Sequence, residues 1–111
     1  MADPVSLICH RTMPHLTDSG ATTIELDEAQ RTVTVHFAGY QMAGIVRFFE
    51  PRALGPVQGT FTPQTITFQN PDTNTAPSGG PDHYTLNRLT GDLEGEWAQD
   101  AMNCQVGAKR F

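Results

Sequence analysis

Apolar and polar residues alternate in several short segments of this chain, the period expected of β-strands with one buried face. Residues 22–37 show the pattern most clearly, because two alternating runs flank a polar stretch of the length of a hairpin connection. The inward positions of these two runs are Ile24, Leu26, Val33, Val35 and Phe37. We therefore predict a β-hairpin over residues 22–37.

The last third of the chain repeats the pattern around a second turn. Residues 83–88 and 92–97 alternate, and Gly91 between them can adopt the left-handed backbone conformation that a tight turn requires. The predicted inward side chains are Tyr84, Leu86, Leu93 and Trp97. Since buried aromatic residues dominate the energy of a small core, we expect this hairpin, with Trp97 buried, to be a centre of stability.

The remaining segments complete an all-β pattern of eight or nine short strands. The turn formers of residues 70–82 predict a surface loop, and Gly55-Pro56 is expected to interrupt strand structure. Further strands are predicted at residues 5–11, 45–49, 57–62, 65–69 and 102–111. Short connections favour neighbouring antiparallel strands, so we predict one domain, residues 1–111, forming a small antiparallel up-and-down β-barrel of about eight strands. The alternative is a two-sheet β-sandwich.

Two cysteines, Cys9 and Cys104, lie near opposite ends of the chain. Closure of a barrel would bring the first strand beside the last, and a disulfide there would have its Cα atoms roughly 4.4–6.8 Å apart. The other interpretation is two buried thiols, because a free cysteine behaves as a small hydrophobic residue. A disulfide would indicate a periplasmic or secreted protein, and free thiols a cytoplasmic one.

Composition and charge narrow the classes of partner. The 111 residues carry a net charge of −5, and the seven basic residues are scattered. We expect no nucleic-acid binding and no membrane insertion, because the first needs clustered Lys and Arg and the second a long apolar run. Residues 1–4 carry no signal-peptide pattern, so we expect a soluble protein that is cytoplasmic or has lost a leader.

The ionisable residues form no recognisable catalytic or metal-binding motif. The four histidines have no metal-ligand spacing, and Cys9 and His10, as neighbours on a strand, point to opposite faces. We therefore predict no catalytic residues, no metal and no cofactor. A three-dimensional site built from His10, His83 and Asp82 is the enzymatic alternative.

A C-terminal motif resembles one in small uncharacterised bacterial β-rich proteins. It is the run Tyr84-x-Leu86-Asn87-Arg88-x-Thr90-Gly91-x-Leu93 followed by the late Cys104. The resemblance implies a β-rich fold and no particular activity. A fainter similarity, through residues 78–80, Trp97 and Cys104, is to the periplasmic C-type lysozyme inhibitors, which are small barrels with a disulfide. Their inhibitory loop motif does not occur in this sequence.

The segment from residue 40 to residue 54 contains more apolar side chains than one inward strand face can bury. Such an excess indicates either a strand buried on both faces or an exposed contact surface. We predict a non-enzymatic binding or interaction module that holds a protein partner, a second copy of itself or an apolar small molecule. The predicted binding residues are Tyr40, Met42, Ile45, Phe48 and Phe49. The alternative function is a small hydrolase or isomerase with a His/acid site in the barrel mouth.

Overall fold

The alternating segments become strands in the computed structural model, which describes residues 4–42, 44, 48–70, 82–97 and 100–106. The strands are β1 (Val5–Arg11), β2 (Leu16–Asp18), β3 (Thr22–Asp27), β4 (Thr32–Phe37), β5 (Tyr40–Met42), β6 (Phe48–Phe49), β7 (Arg52–Phe61), β8 (Thr65–Asn70), β9 (Asp82–Asn87), β10 (Asp92–Gly95) and β11 (Met102–Val106). Among these residues no helix is long and apolar enough to cross a membrane.

Eight strands close into the predicted antiparallel up-and-down barrel. Their order around the barrel is β1, β3, β4, β7, β8, β9, β10 and β11, after which β11 pairs with β1. Both predicted hairpins are present: β3 pairs with β4 through Ile24 and Val35, and β9 pairs with β10 through Leu86 and Leu93. Strands that follow one another in the chain are neighbours in the barrel, except that β2 comes between β1 and β3 and that β5 and β6 come between β4 and β7. The result is a meander, and closure removes the two free edges of the sheet.

The inward face of every barrel strand contributes to one apolar core. Its members are Leu7, Cys9, Ile24, Leu26, Val33, Val35, Phe37, Leu54, Ile66, Phe68, Tyr84, Leu86, Leu93, Met102 and Cys104. The prediction that Trp97 is buried with them is wrong, since its side chain is 37% exposed. The reason is local: β10 ends at Gly95, and Glu96 and Trp97 form a bend in which strand alternation no longer fixes the direction of the side chain.

Cys9 and Cys104 form the disulfide that joins the first barrel strand to the last. They are direct cross-strand partners with their sulfur atoms 2.05 Å apart, and the Cα–Cα distance of 4.0 Å is below the expected range. The amide of Cys104 donates to Gly91 O on the β10 side, so the cysteine pair is not hydrogen-bonded through its backbone. Cα atoms approach more closely in such pairs, to about 4.5 Å.

The turn before β10 requires a glycine. Gly91 has a φ of +82°, as predicted, and a Cβ at this position would clash with the backbone oxygen of Cys104. Asn87 stabilises the same turn, because its side-chain oxygen accepts hydrogen bonds from the backbone amides of Leu89 and Thr90. The turn therefore positions β11 through backbone contacts that no larger residue leaves room for.

Two local expectations are wrong. Strand β7 continues through Gly55-Pro56, which has a cis peptide bond, and the pairing register with β4 shifts there between Val33 and Val35. A bulge tolerates a proline because no ladder hydrogen bond from its nitrogen is needed.

The predicted surface loop over residues 70–82 is wrong at both of its ends. Asn70 and Asp82 are buried cross-strand partners at the ends of β8 and β9. Residues 71–81 of the predicted loop lie outside the described residues.

A second, three-stranded sheet was not predicted. It has the order β2, β5, β6, with Leu16 opposite Met42 and Tyr40 opposite Phe49. Strands of two or three residues are too short to show a period of two, which is why the sequence pattern did not indicate them. Of the predicted 45–49 strand, Phe48 and Phe49 form β6, and residues 45–47 lie outside the described residues.

Candidate functional site

Arg11 fastens the small sheet to one end of the barrel. Its side chain, almost fully buried, donates from Nη1 to Asp18 Oδ1 at 2.7 Å and to Ala38 O at 2.9 Å. The guanidinium carbon lies 4.3 Å from the centre of the Tyr40 ring, within the range of a cation–π interaction. One side chain at the end of β1 thus contacts β2, the segment before β5 and β5 itself.

The small sheet presents a pair of stacked aromatic rings. Tyr40 and Phe49 have ring centroids 4.6 Å apart and planes inclined by 6°. Gly39 allows this close packing, because a Cβ there would lie 2.6 Å from the Phe48 ring and 2.7 Å from Phe49 O. The absence of a side chain at Gly39 therefore allows β6 to pack directly against the backbone at residue 39.

A cleft of about 260 Å³ lies between these rings and the end of the barrel. It is lined by Tyr40, Phe49, Glu50, Arg52, Asp82, Trp97 and Asp100. We call it the aromatic–acid cleft. Its walls carry the aromatic rings, and its charged groups come from three separate parts of the chain.

Two of the three acidic groups of the cleft, Asp82 and Asp100, lie at the barrel end and are almost fully buried, whereas Glu50 is exposed. Asp82 is 2% exposed and Asp100 is 3% exposed. Arg52, at the start of β7, reaches Asp100 Oδ1 from Nη2 at 3.3 Å, and its guanidinium also lies 4.5 Å from the centre of the Phe37 ring. Charged groups are rarely buried unless they are paired. The burial of these two carboxylates is therefore unusual and makes this end of the barrel a candidate site.

Burial raises the pKa of Asp100 above its ordinary value. The charges of Arg52 and Arg11 act to lower that pKa, and the charge of Asp82 acts to raise it. Loss of solvent outweighs the two guanidinium groups, so the protonated carboxyl is favoured more than it is in water. Perturbed acids in a concave site are typical of functional sites, although buried structural networks show them too.

The hydroxyl of Tyr84 lies beside the same charges. Burial and the charge of Asp100 raise the pKa of Tyr84 to about 12, while Arg52 acts in the opposite direction. The oxygen is buried and makes no hydrogen bond of good geometry among the described residues. The ring itself is well packed, with centroid distances of 5.1 Å to Phe68 and 5.7 Å to Phe37.

The predicted binding residues divide between the cleft and the rest of the small sheet. Tyr40 and Phe49 line the cleft, whereas Phe48 is 45% exposed outside its lining. Met42 is half-buried opposite Leu16, and Ile45 lies outside the described residues. The structure therefore brings two of the five side chains together around one cavity.

The acidic side of the cleft was not predicted from sequence, which named Asp82 only in the alternative site with His10 and His83. Asp82 was assigned to a loop, and Asp100 follows a short bend with no motif around it. Arg52, Asp82 and Asp100 are far apart in sequence, and only barrel closure brings them together. A lone charged residue next to a turn carries no sequence signal that separates it from a solvated one.

The proposed histidine site is not assembled. Asp82 points into the barrel end, and the adjacent His83 points outward, where its Nδ1 is 3.2 Å from Glu96 Oε2. His10 is exposed on β1. Among the described residues no group of three or more His, Cys, Asp and Glu side chains is placed to hold a metal ion.

A second concavity lies on the outer face of β7, β8 and β9. This groove of about 320 Å³ is lined mainly by exposed polar residues, including Gln58, Thr60, Thr67 and Thr85. Thr67 stands opposite both Thr60 and Thr85, so the row is an ordinary solvated sheet face. The groove is the larger of the two cavities, but the aromatic–acid cleft has the buried ionisable groups and is the better candidate site.

Comparison with protein-family models, with curated proteins and with solved structures finds no match for this chain. The resemblance of the C-terminal motif to small bacterial β-rich proteins therefore stays a prediction, as does the fainter similarity to lysozyme inhibitors.

Proposed function

We propose that this protein is a non-enzymatic binding module whose ligand enters the aromatic–acid cleft. The observation that carries the proposal is the combination, in one cavity, of three aromatic residues with two buried carboxylates. Binding sites commonly join apolar walls to a few convergent polar groups, the first providing contact area and the second orientation.

The size of the cleft limits what it can hold. Pockets for drug-sized ligands measure about 300–1,000 Å³, and this one measures about 260 Å³. Its ligand is accordingly a small molecule, or a single side chain that a protein partner inserts. Phe48, exposed on the small sheet next to Phe49, offers a further apolar contact to such a partner.

The hydrolase or isomerase alternative has less support from the geometry. General acid–base chemistry needs a base within hydrogen-bond reach of the reacting group, and the histidine next to Asp82 is turned to the opposite face. The charged groups of the cleft, three acids and one guanidinium, suit recognition of a charged or hydroxylated ligand.

The single tryptophan of the chain provides a direct test, because Trp97 lines the cleft. A fragment library of neutral, cationic and anionic compounds is screened by Trp97 fluorescence, and binding is mapped by amide chemical shifts. We expect hits to shift the signals of Tyr40, Phe49 and Asp100, and to weaken in Tyr40→Leu.

The control variant is Thr85→Ala, which alters the outer groove and leaves the cleft untouched. Hits that are lost in Thr85→Ala and kept in Tyr40→Leu would place binding in the groove and refute the proposal. Light scattering on the wild type and on Phe48→Ser separates self-association from ligand binding. Loss of a dimer in Phe48→Ser, without any cleft ligand, would replace the proposal by one of self-assembly.

A further inference from the structure

The two strands that close the barrel lead into the aromatic–acid cleft. We call the pairing of β1 with β11 the seam. Its last pair is Arg11 with Met102, and beyond it the amide of Thr12 donates to Ala101 O at 3.0 Å. The residue before Ala101 is Asp100, which lines the cleft. The seam therefore continues directly into the wall of the cleft.

The β1 side of the seam holds the aromatic wall of the small sheet. Arg11, the last residue of β1, donates to Asp18 Oδ1 and to Ala38 O. Its guanidinium carbon lies 4.3 Å from the centre of the Tyr40 ring, which stacks on Phe49. These contacts attach the small sheet to the end of β1, so a displacement of β1 also displaces this wall.

The β11 side of the seam holds the wall that Trp97 forms. The amide of Asp100 donates to Trp97 O at 3.0 Å, and the Asp100 carboxylate accepts from Arg52 at 3.3 Å. A Cβ at Gly95 would lie 3.0 Å from Asp100 Cβ, so Asp100 also packs against the end of β10. Trp97 is therefore attached through Asp100 to the beginning of β11.

The seam is the longer of the two pairings that hold β11. Every residue of β11, Met102–Val106, has a partner on β1, whereas only Met102 and Asn103 have partners on β10. Cys104 adds one backbone hydrogen bond on the β10 side, to Gly91 O at 2.7 Å. Opening of the seam therefore leaves β11, and Asp100 with it, held by a short pairing alone.

The Cys9–Cys104 disulfide ties the seam at the middle of this pairing. Its sequence separation is 95 residues, so without the covalent bond the seam must bring together distant parts of the chain, at a cost in entropy. Arg11 lies two residues after Cys9, and Asp100 lies four residues before Cys104. The disulfide is therefore placed to fix both residues that attach the aromatic walls.

We propose that oxidation of Cys9 and Cys104 completes the aromatic–acid cleft. In the reduced protein the other barrel strands stay paired, while the seam opens and the walls at Tyr40 and Trp97 lose their fixed separation. Ligand binding accordingly begins only after the disulfide has formed. This regulation deepens the proposed function and rests on it, because the cleft is taken to be the binding site.

The oxidation is an exchange with an external disulfide, such as oxidised glutathione. The thiolate of one cysteine attacks it, which forms a mixed disulfide and releases one external thiolate. The thiolate of the other cysteine attacks the mixed disulfide and releases the second. Two cysteine thiols are oxidised, one external disulfide is reduced, and the released thiolates take up the two protons that the cysteines lose. Because both cysteines are buried in the closed barrel, the exchange takes place while the seam is open.

The test follows hydrogen-bonded backbone amides at both ends of the barrel. Hydrogen exchange is measured for Thr12, Ser19 and Asp100 at the cleft end, and for Gly59 and Arg88 at the other end. We expect loss of the disulfide to raise the exchange rates at the cleft end about tenfold or more, and those at the other end less than about threefold. The difference follows because only the seam and the segments attached to it open locally.

Three samples without the disulfide are compared with the oxidised wild type. They are the wild type reduced with dithiothreitol, Cys9→Ala with Cys104→Ala, and Cys9→Ala with Cys104→Val, which restores apolar volume to the core. Far-UV circular dichroism establishes whether the strands are retained. The emission of Trp97, the single tryptophan, should shift to longer wavelength as its surroundings open.

The matched control is Ile66→Ala, which keeps the disulfide. It removes a fully buried side chain from β8, a strand that is not part of the seam. This variant lowers the stability of the whole barrel, so it should not raise exchange selectively at the cleft end.

Each outcome decides the proposal. Selective exchange at the cleft end in the samples without the disulfide, with the strands retained, supports it. Equal increases at both ends, unfolding of all strands, or no increase would each overturn it, because the disulfide would then be a general stabiliser or would not be needed at the cleft. The same selective pattern in Ile66→Ala would overturn it as well. No ligand enters this test, so the fragment screen on the oxidised protein decides the proposed function separately.

Discussion

The guanidinium of Arg11 lies 4.3 Å from the centre of the Tyr40 ring while its Nη1 donates to Asp18 at 2.7 Å. The relationship matters because Arg11 belongs to the barrel and Tyr40 to the small sheet, so the two sheets meet at a buried cation. The aromatic wall of the cleft consequently depends on a charged side chain that does not line the cleft itself.

Arg11→Met should loosen the small sheet. Removing one partner of a buried ion pair leaves the other charge uncompensated, which costs about 3–5 kcal/mol of unfolding free energy. The matched control is Glu28→Gln, which breaks an exposed pair with Arg88 of similar length, 2.8 Å, and should cost less than about 1 kcal/mol. Urea unfolding measures both, and amide hydrogen exchange at Tyr40 and Phe49 reports the loosening. Equal costs for the two variants would show that Arg11 is not a structural anchor.

The disulfide should be a major contributor to stability. It closes a loop with a sequence separation of 95 residues, for which the chain-entropy model gives about 4–5 kcal/mol. The double variant Cys9→Ala, Cys104→Ala should lose about that amount in chemical unfolding, with the cavity left by the sulfur atoms adding to the loss. A double variant as stable as the wild type would contradict this role for barrel closure.

Leu93 should matter more to the core than Trp97. Leu93→Ala removes a fully buried side chain and should cost about 2–5 kcal/mol. Trp97→Ala should cost about 1–2 kcal/mol, because a side chain that is 37% exposed gains less from burial. The comparison is made from urea unfolding midpoints. If Trp97→Ala lost more unfolding free energy than Leu93→Ala, Trp97 would have to be counted among the core residues.

Asp100 should make stability depend on pH with a definite sign. Because its pKa is raised on folding, the folded protein binds the proton more tightly than the unfolded chain does. Its favourable contribution is therefore complete below the ordinary pKa of 3.8 and is lost as the pH rises through the raised value.

The measurement is urea unfolding of the wild type and of Asp100→Asn between about pH 4 and about pH 7. The stability of the wild type relative to Asp100→Asn should fall as the pH rises, since an amide does not titrate. A relative stability that rises over this range would mean that Arg52 and Arg11 dominate and that the pKa is lowered.

Tyr84→Phe tests the hydroxyl without disturbing the ring. An unsatisfied buried oxygen is costly, so the variant should be as stable as the wild type or more stable by about 1 kcal/mol. Tyr84→Leu, which loses the ring contacts with Phe68 and Phe37, should cost about 1–3 kcal/mol. In an absorbance titration the group with a pKa of about 12 should be absent from both variants. Strong destabilisation by Tyr84→Phe would reveal a hydrogen bond in solution.

The alternation of apolar and polar residues determined the barrel strands. Each of these strands buries one face, so its buried positions recur with a period of two that is visible in the sequence. The hairpins at β3–β4 and β9–β10 and the turn at Gly91 follow from such local rules. The sequence left a Cys9–Cys104 disulfide and two free thiols as alternatives, and closure of the barrel decided for the disulfide.

Only the tertiary structure decided the position of Trp97, the small sheet and the aromatic–acid cleft. Two- and three-residue strands carry no period, and a side chain after the last strand residue has no fixed direction. Arg52, Asp82 and Asp100 are brought together by barrel closure, across sequence distances over which no spacing rule applies. Their burial, and the altered pKa of Asp100 that follows from it, depend on what packs around them, which is a property of the folded chain.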